Sequence, residues 1–175
     1  MERAAVPSAV REERLRRWID EYAGAIERTC FISLNDRALA QDAAQDTFWK
    51  AWRHMEDFER KGIENEKAWL LRIAVNTCAD YRRSAWFRHE DRGRDVDTLP
   101  ALAAPAEQES SALILDVCRL PDRYRQAVLL YFYHNLTLQE TAQVLRITKS
   151  TVHRRLRRAC EMLKDHLPGG EHHAG

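Results

Sequence analysis

The stretch Thr137–Leu163, TLQETAQVLRITKSTVHRRLRRACEML, constrains the chain more than any other. It reads as two short helices joined by a tight turn. Thr137 suits an N-cap, and Glu140 three residues on completes a capping box. Leu138, Ala142 and Leu145 then recur at helical spacing on one face. Arg146, Ile147 and Thr148 make the connection, and Thr148 can cap the second helix. There Val152, Leu156, Ala159 and Leu163 form the apolar face. Lys149, His153, Arg154, Arg157 and Arg158 lie away from it, with Arg155 near its edge. Ala142 is small where two helices must cross closely. This is the pattern of a helix-turn-helix, whose second helix enters the major groove of DNA. An αα-hairpin with a solvated basic face has the same pattern.

The rest of the chain decides what surrounds this unit. Its 175 residues allow one domain or two small ones. No run approaches the roughly 20 apolar residues that a spanning helix needs. The start, MERAAVPSAVREERLRRW, has no apolar core of a signal peptide, so a cytoplasmic protein without membrane insertion is expected. Cys30, Cys78, Cys118 and Cys160 are far apart and form no C-x-x-C pair. They are expected as small core or boundary residues, not as a zinc site or disulfide framework. No metal or cofactor is expected.

Formal net charge is only +1, but its distribution is uneven. From Arg119 to Leu167, ten basic residues face four acids, Asp122, Glu140, Glu161 and Asp165. Between His89 and Ser110 the sign reverses. Glu90, Asp91, Asp95, Asp97, Glu107 and Glu109 outnumber Arg92 and Arg94. Residues 87–109 also hold Gly93, Pro100 and Pro105 and read as an acidic linker, in which Leu99–Ala104 can dock as a short apolar segment. The sequence therefore predicts two working parts, residues 1–86 and 110–167, with a tail at 168–175.

No stretch of useful length alternates as a strand does, so the fold expected is all-α. Residues 1 to about 9 lack periodicity. Leu15, Trp18, Ile19, Tyr22 and Ile26 predict an amphipathic helix from Val10 to about Ser33. Asn35 or Asp36 caps the next, which runs to about Met55 with Ala40, Ala44, Phe48, Ala51 and Met55 in one stripe. Its other face carries Gln41, Asp42, Gln45, Asp46, Trp49, Lys50, Trp52 and Arg53. Two tryptophans there point to a broad core contact or to a protein partner, since Trp is enriched at binding hot spots. Asp57–Asn65 contains Gly62 and reads as a loop. A helix follows from Glu66 to Ser84, with Leu70, Ile73, Ala74, Thr77, Cys78 and Tyr81 inward. In the second part, Leu113, Ile114, Val117 and Cys118 restart the period. Pro121 sits in the first turn of a further helix, whose run Val128–Tyr133 should form the centre of that domain.

Three of these segments occur in the order of a known family. AQDAAQDTFWKAW (Ala40–Trp52), AWLLRIAVNTCADYRR (Ala68–Arg83) and Leu120–Leu163, with LPDRYRQAVLLYFY and TVHRRLRRA, resemble the extracytoplasmic-function (ECF) sigma factors of bacterial RNA polymerase. The resemblance covers nearly the whole chain, with a variable linker between the second and third segments. It implies a dissociable subunit, not an enzyme, that brings core RNA polymerase to promoter DNA, reads a −35 and a −10 element, and helps open the latter. It also makes an anti-sigma factor an expected partner. Three positions depart from the family pattern. Arg146 stands where the turn usually has Gly, Thr141 where a branched aliphatic is usual, and Arg154 where the recognition helix usually has Ser. Arg146 must adopt a positive φ or the turn must change.

On this resemblance Lys149, Ser150, Thr151, His153, Arg154 and Arg157 reach bases or phosphates of the −35 element, and Arg158 the backbone. Arg154 and Lys149 are the expected base readers, because Arg can bind guanine in bidentate fashion. The loop Glu59–Asn65 and the following helix would hold the −10 strand. Arg60, Lys61 and Asn65 supply donors, Trp69 offers a stacking surface or is buried at the start of its helix, and Arg72, Asn76, Arg82 and Arg83 hold backbone or bases. Asn76 can equally make a helix-packing hydrogen bond. Gln41, Asp42, Gln45, Asp46, Trp49 and Arg53 would face the polymerase's large clamp subunit, and the flap of the other large subunit would take the second domain. Two other classes stay open. One is a stand-alone helix-turn-helix regulator that needs no core polymerase. The other is a metal hydrolase built on Asp42, Asp46, Glu56 and Asp57, for which His54 is the nearest further ligand.

Overall fold

The computed structural model describes residues 7–87 and 108–164. The acidic linker between them, its Leu99–Ala104 segment, the first six residues and the tail lie outside the described residues. Every described element is helical. The chain divides into two compact units, residues 1–92 and 93–175.

The first unit is built on α1 (Ser8–Leu34), α2 (Arg37–Arg53), α3 (Met55–Arg60) and α4 (Glu66–Phe87). α1 ends where Asn35 turns left-handed at φ 52, and its N–H donates to the Phe31 carbonyl at 2.7 Å. Asp36 then caps α2 by accepting from the Leu39 N–H at 2.9 Å. The core is a seam of small and large residues. Ala43, Ala51 and Ala74 are fully buried and let α2 approach α1 and α4, while Trp18, Met55, Leu70 and Leu71 fill the space between. Thr29 and Thr47 are buried as well, and each hydroxyl donates to a carbonyl one turn back, at 2.7 Å.

Several sequence expectations change here. Ile19 is 39% exposed: the inward stripe runs Leu15, Trp18, Tyr22, Ile26, and Ile19 is rotated about 100° beyond Trp18. The expected loop from Asp57 begins only at Lys61. Met55 and Phe58 lie three apart, both are buried, and that burial holds the short helix α3. Leu71 and Val75 join the core, so α4 buries a broader face than its period suggested.

The second unit comprises α5 (Gln108–Arg119), α6 (Asp122–Val128), a π-helical turn (Leu129–Tyr133), α7 (Leu138–Leu145) and α8 (Lys149–Lys164). Pro121 precedes α6 as its cap instead of entering its first turn; its carbonyl accepts from Tyr124 and Arg125. The π turn is closed by the His134 N–H donating to the Leu129 carbonyl at 3.0 Å. It buries Leu129 and Leu130 but leaves Phe132 and Tyr133 exposed, so the apolar run is only partly core. Leu120, Ala127, Val128, Ala142, Val152, Leu156 and Ala159 form one cluster that joins α6, α7 and α8.

Among the described residues the left-handed ones are Asn35, Asn135, Gly62 and Arg146. Asn and Gly tolerate this region; Arg does not. Substitution of Arg146 by Gly should therefore stabilise the second unit by about 1 kcal/mol. All five tryptophans precede residue 93. The far-UV dichroism transition should move upward while the tryptophan-fluorescence transition stays in place. An unmoved dichroism transition would show that the turn carries no strain.

The cysteines give a second test. Cys30, Cys78 and Cys118 are buried and Cys160 is half-buried, all of them free thiols. A hydrogen bond with Cys78, together with burial, pushes the Cys30 thiol far up, and burial raises that of Cys118. Thiolate is the reactive form. In a thiol titration of the native protein Cys160 should react first, with the other three following only on unfolding.

Candidate nucleic-acid interface

The helix-turn-helix is assembled as its residues predict. The Thr137 hydroxyl accepts from the Glu140 N–H at 3.2 Å, and the Glu140 carboxylate accepts from the Thr137 N–H at 2.8 Å. α7 ends with Arg146 at φ 55, ψ 44. Its N–H donates to Gln143, and the Ile147 N–H donates to Ala142 at 3.0 Å. This pair is a Schellman closure, the one usually made with Gly. Thr148 then caps α8: its hydroxyl accepts from the Thr151 N–H at 3.2 Å and lies 3.0 Å from the Ser150 hydroxyl. Thr141 is fully buried, so its place in the core is kept although it is not the usual aliphatic.

α8 buries Val152, Leu156 and Ala159 and turns its charge outward. Lys149, Ser150, His153, Arg154, Arg157 and Arg158 are exposed and Thr151 is half-buried. The arginines differ in how they are held. Arg158 donates to Glu161 at 3.0 Å, and Arg157 lies 4.0 Å from the same carboxylate. Lys149, His153 and Arg154, nearer the start of the helix, have no ion pair among the described residues. An open cleft beside that start is lined by Gln139, Gln143, Arg146, Thr148, Lys149 and Ser150. Gln139, Gln143 and Arg146 thus adjoin the reading helix, a placement that the α8 sequence alone does not reveal.

In the first unit the residues expected to hold single-stranded DNA lie on α4, on the turn before it and at the end of α3. Arg60 and Lys61 are exposed; Arg60 pairs with Asp57 one turn back. Gly62 takes φ 59, with open space around it. Asn65 caps α4, its side-chain oxygen accepting from the Ala68 N–H at 2.9 Å. Trp69 packs between Trp18 and Phe58, with ring centroids 5.4 Å and 4.8 Å away, so much of its face is taken by the core. On α4, Asn76 is exposed, Arg72 is half-buried, Arg82 donates to the Ser33 carbonyl at 3.3 Å, and Arg83 pairs with Asp80. The helix thus uses some of its arginines internally.

The outer face of α2 presents Gln41, Asp42, Gln45 and Arg53 to solvent. Trp49 stands among them at 60% exposure. Asp46 is half-buried and accepts from the Tyr81 hydroxyl at 2.7 Å, so it steadies α4 against α2. Burial and this hydrogen bond push the Tyr81 phenol well up, and it stays a donor throughout the ordinary pH range. Trp52, one turn on from Trp49, is half-buried beneath the Arg11 guanidinium at 4.6 Å, which settles its place as a contact within the unit. Among the described residues no group of His, Cys, Asp and Glu is placed to hold a metal, and His54, Asp42, Asp46, Glu56 and Asp57 do not converge as the hydrolase alternative requires. No described helix is long and apolar enough to cross a membrane.

Comparison with known proteins follows this division. The model of the Sigma-70 region 2 family matches residues 14–88, and that of Sigma-70, region 4 matches residues 118–165. The ECF RNA polymerase sigma factor SigL of Mycobacterium tuberculosis is 30% identical over 171 residues, 94% of each chain. The ECF RNA polymerase sigma factor SigM of Bacillus subtilis is 28% identical, over 82% of this chain and 88% of its own. Among solved structures, RpoE of Bartonella quintana, in complex with the anti-sigma factor NepR, shares the fold with a TM-score of 0.64 at 21% identity, over 87% and 96% of the two chains. CnrH, in complex with the cytosolic domain of CnrY, does so with a TM-score of 0.65 at 22% identity, over 88% and 87%. With both regions matched in order and a relative 30% identical over 94% of each chain, the chain belongs to the ECF RNA polymerase sigma factors.

Proposed function

We propose that the protein directs core RNA polymerase to promoters whose −35 element is read by the start of α8, and that α4 with the turn before it holds the opened −10 strand. The observation that carries this reading is the split of exposed chemistry between two separate units. One unit offers cations on a helix seated by a helix-turn-helix. The other offers a tryptophan among acids and amides on α2, and donors around the turn before α4. A regulator that acts alone needs the first set and has no use for the second.

The division of labour in α8 follows from its ion pairs. Arg154 and Lys149 are free to meet base edges, because no carboxylate among the described residues competes for them. Arg157 and Arg158 share Glu161 and suit phosphates, which position the duplex without reading it. Ser150, Thr151 and His153 complete the contact. On the first unit, Arg60, Lys61, Arg72 and Asn76 face the single strand, with the exposed edge of Trp69 beside them. Asn65, Arg82 and Arg83 shape that surface through their internal bonds.

Trp49, with Gln41, Asp42, Gln45, Asp46 and Arg53 around it, faces the large clamp subunit, and the second unit meets the flap of the other large subunit. RpoE of Bartonella quintana is in complex with the anti-sigma factor NepR, which supports a regulator of that kind here. The protein works in the cytoplasm with the polymerase, takes no cofactor and catalyses no reaction of its own.

Run-off transcription with core polymerase on a promoter library tests the whole reading. Promoter-specific transcripts are expected only when both proteins are present, whereas tight binding of promoter DNA without core enzyme would favour the stand-alone regulator. Arg154→Ala should change the preferred base at one −35 position by about 1–3 kcal/mol. An equal loss on every sequence would make it a phosphate contact. Trp49→Ala should weaken retention on core polymerase by about 2 kcal/mol, near thirtyfold, if it anchors the contact. Full retention would leave Trp49 a solvated side chain.

A further inference from the structure

We infer that Arg14 and Arg17 of α1 are positioning residues for promoter opening: each fixes one end of the turn between α3 and α4. The inference rests on the reading above, in which that turn contacts the −10 strand.

Arg11, Arg14 and Arg17 lie three apart and so share one face of α1. Arg14 donates to Glu59 at 2.7 Å. Glu59 is the penultimate residue of α3, one residue before the turn. Arg17 makes a two-pronged pair with Glu66 at 2.9 Å and 2.6 Å. Glu66 is the first residue of α4, immediately after it. Arg11 extends the row, donating to Glu56 and to the Trp52 carbonyl, both at 3.1 Å. Two neighbouring turns of one helix therefore grip both ends of a segment that lies 45 to 49 residues away in the chain.

The same three elements meet again beneath these ion pairs. Trp18, next to Arg17, packs edge-on to Phe58 of α3 at 5.4 Å and against Trp69 of α4 at 5.4 Å. The aromatic contacts carry stability. The ion pairs add direction, above all the Arg17–Glu66 fork, which fixes an angle that apolar packing leaves loose.

Exposed ion pairs usually contribute little, and a solvated face is the ordinary explanation of such charges. These two differ in placement. The Glu59 and Glu66 side chains are only 24% and 21% exposed. Arg17, first of all, holds the Glu66 carboxyl below its usual range, so the pair stays charged. Between the anchors the turn is closed by its own backbone, Gly62 N–H donating to the Glu59 carbonyl at 3.1 Å and Ile63 N–H to the Phe58 carbonyl at 3.3 Å, so the two ion pairs set where this closed turn sits against α1. Gly62 sits in open space at φ 59, and Arg60 and Lys61 project outward. A segment meant to meet a strand pulled from its duplex must keep its cations at a set distance from α4. Holding it in advance lowers the cost of ordering it on binding.

The test uses the full chain with core polymerase on a duplex promoter and on the same promoter pre-melted at −10. Variants are Arg14→Ala, Arg17→Ala, Arg17→Lys, the charge-reversed pair R17E/E66R, and Lys61→Ala as a control on the turn itself. With dichroism and core retention unchanged, Arg17→Ala should slow opening of the duplex by about tenfold, within the range of coupled neighbouring charges. It should also flatten the base preference at −10 and have a smaller effect on the pre-melted promoter. The reversed pair should restore the rate, and Arg17→Lys should restore it in part, because Lys cannot make the fork.

The inference is overturned if Arg14→Ala and Arg17→Ala leave opening and −10 preference unchanged while Lys61→Ala slows opening. It is also overturned if R17E/E66R folds but restores nothing, or if Arg17→Ala loses core retention in the same proportion as opening. If Lys61→Ala itself has no effect, the reading of the turn fails, and with it this inference.

Discussion

Close helix crossing at alanine is the constraint on which both units depend. Ala43, Ala51 and Ala74 are fully buried where α1, α2 and α4 meet, and Ala127, Ala142 and Ala159 are buried where α6, α7 and α8 meet. A larger side chain at such a point pushes whole helices apart, and overpacking costs typically about 1–3 kcal/mol. Small residues at the crossings allow short helices to share large neighbours. In the second unit this matters most, because α7 runs only from Leu138 to Leu145 and is too short to persist alone. Its stability is borrowed from α6 and α8 through Ala142 and Val152, and from the capping box at its start. The angle at which α8 is presented is thus a consequence of packing, not of the charged residues it carries.

Packing and reading are kept on separate faces. α8 is buried along Val152, Leu156 and Ala159 and charged elsewhere, so its cations change without disturbing the core. α4 is less clean. It buries Leu70, Leu71, Ala74, Val75 and Cys78, a wide face, and spends Arg82 and Arg83 on internal bonds. α2 also mixes roles, since Asp46 binds Tyr81 while Trp49, three residues on, stands exposed. A net charge of +1 fits this arrangement. Several cations are paired within the units, while Lys149, His153 and Arg154 at the start of α8 and Lys61 in the turn before α4 have no ion pair among the described residues.

The all-α class, the helix-turn-helix with its caps, and the family were legible in the residues because each rests on local spacing. Thr137 and Glu140, Thr148, and the stripe on α8 interact within one or two turns. What was not legible rests on distant contacts. Nothing near Phe58 announces that it meets Trp18 and Trp69, so α3 read as loop. Nothing in VLLYFY marks a π turn, so Phe132 and Tyr133 read as core. Arg11, Arg14 and Arg17 could have been noticed by their spacing of three, but their partners on α3 and α4 become visible only when the helices are packed. The same distance explains Trp69, whose two possible surroundings could not be separated until its neighbours were known.

Arg146 shows how a local cost and a surface property arrive together. Its left-handed conformation is imposed by the Schellman closure, since Ile147 must reach the Ala142 carbonyl for α7 to end and α8 to begin in register. Gly would satisfy that geometry without the side-chain clash. Arg satisfies it at a cost of about 1 kcal/mol and leaves a guanidinium on the rim of the cleft beside Lys149 and Ser150. The start of α8 already concentrates partial positive charge from its unpaired N–H groups. A cation on that rim strengthens the attraction for an approaching phosphate, at the point where, on the proposed reading, the helix meets DNA. The strain is observed as a backbone angle and the charge as a position, and neither alone explains the residue. Together they are consistent with a turn that keeps less stability than it might in exchange for a more positive entry to the reading helix.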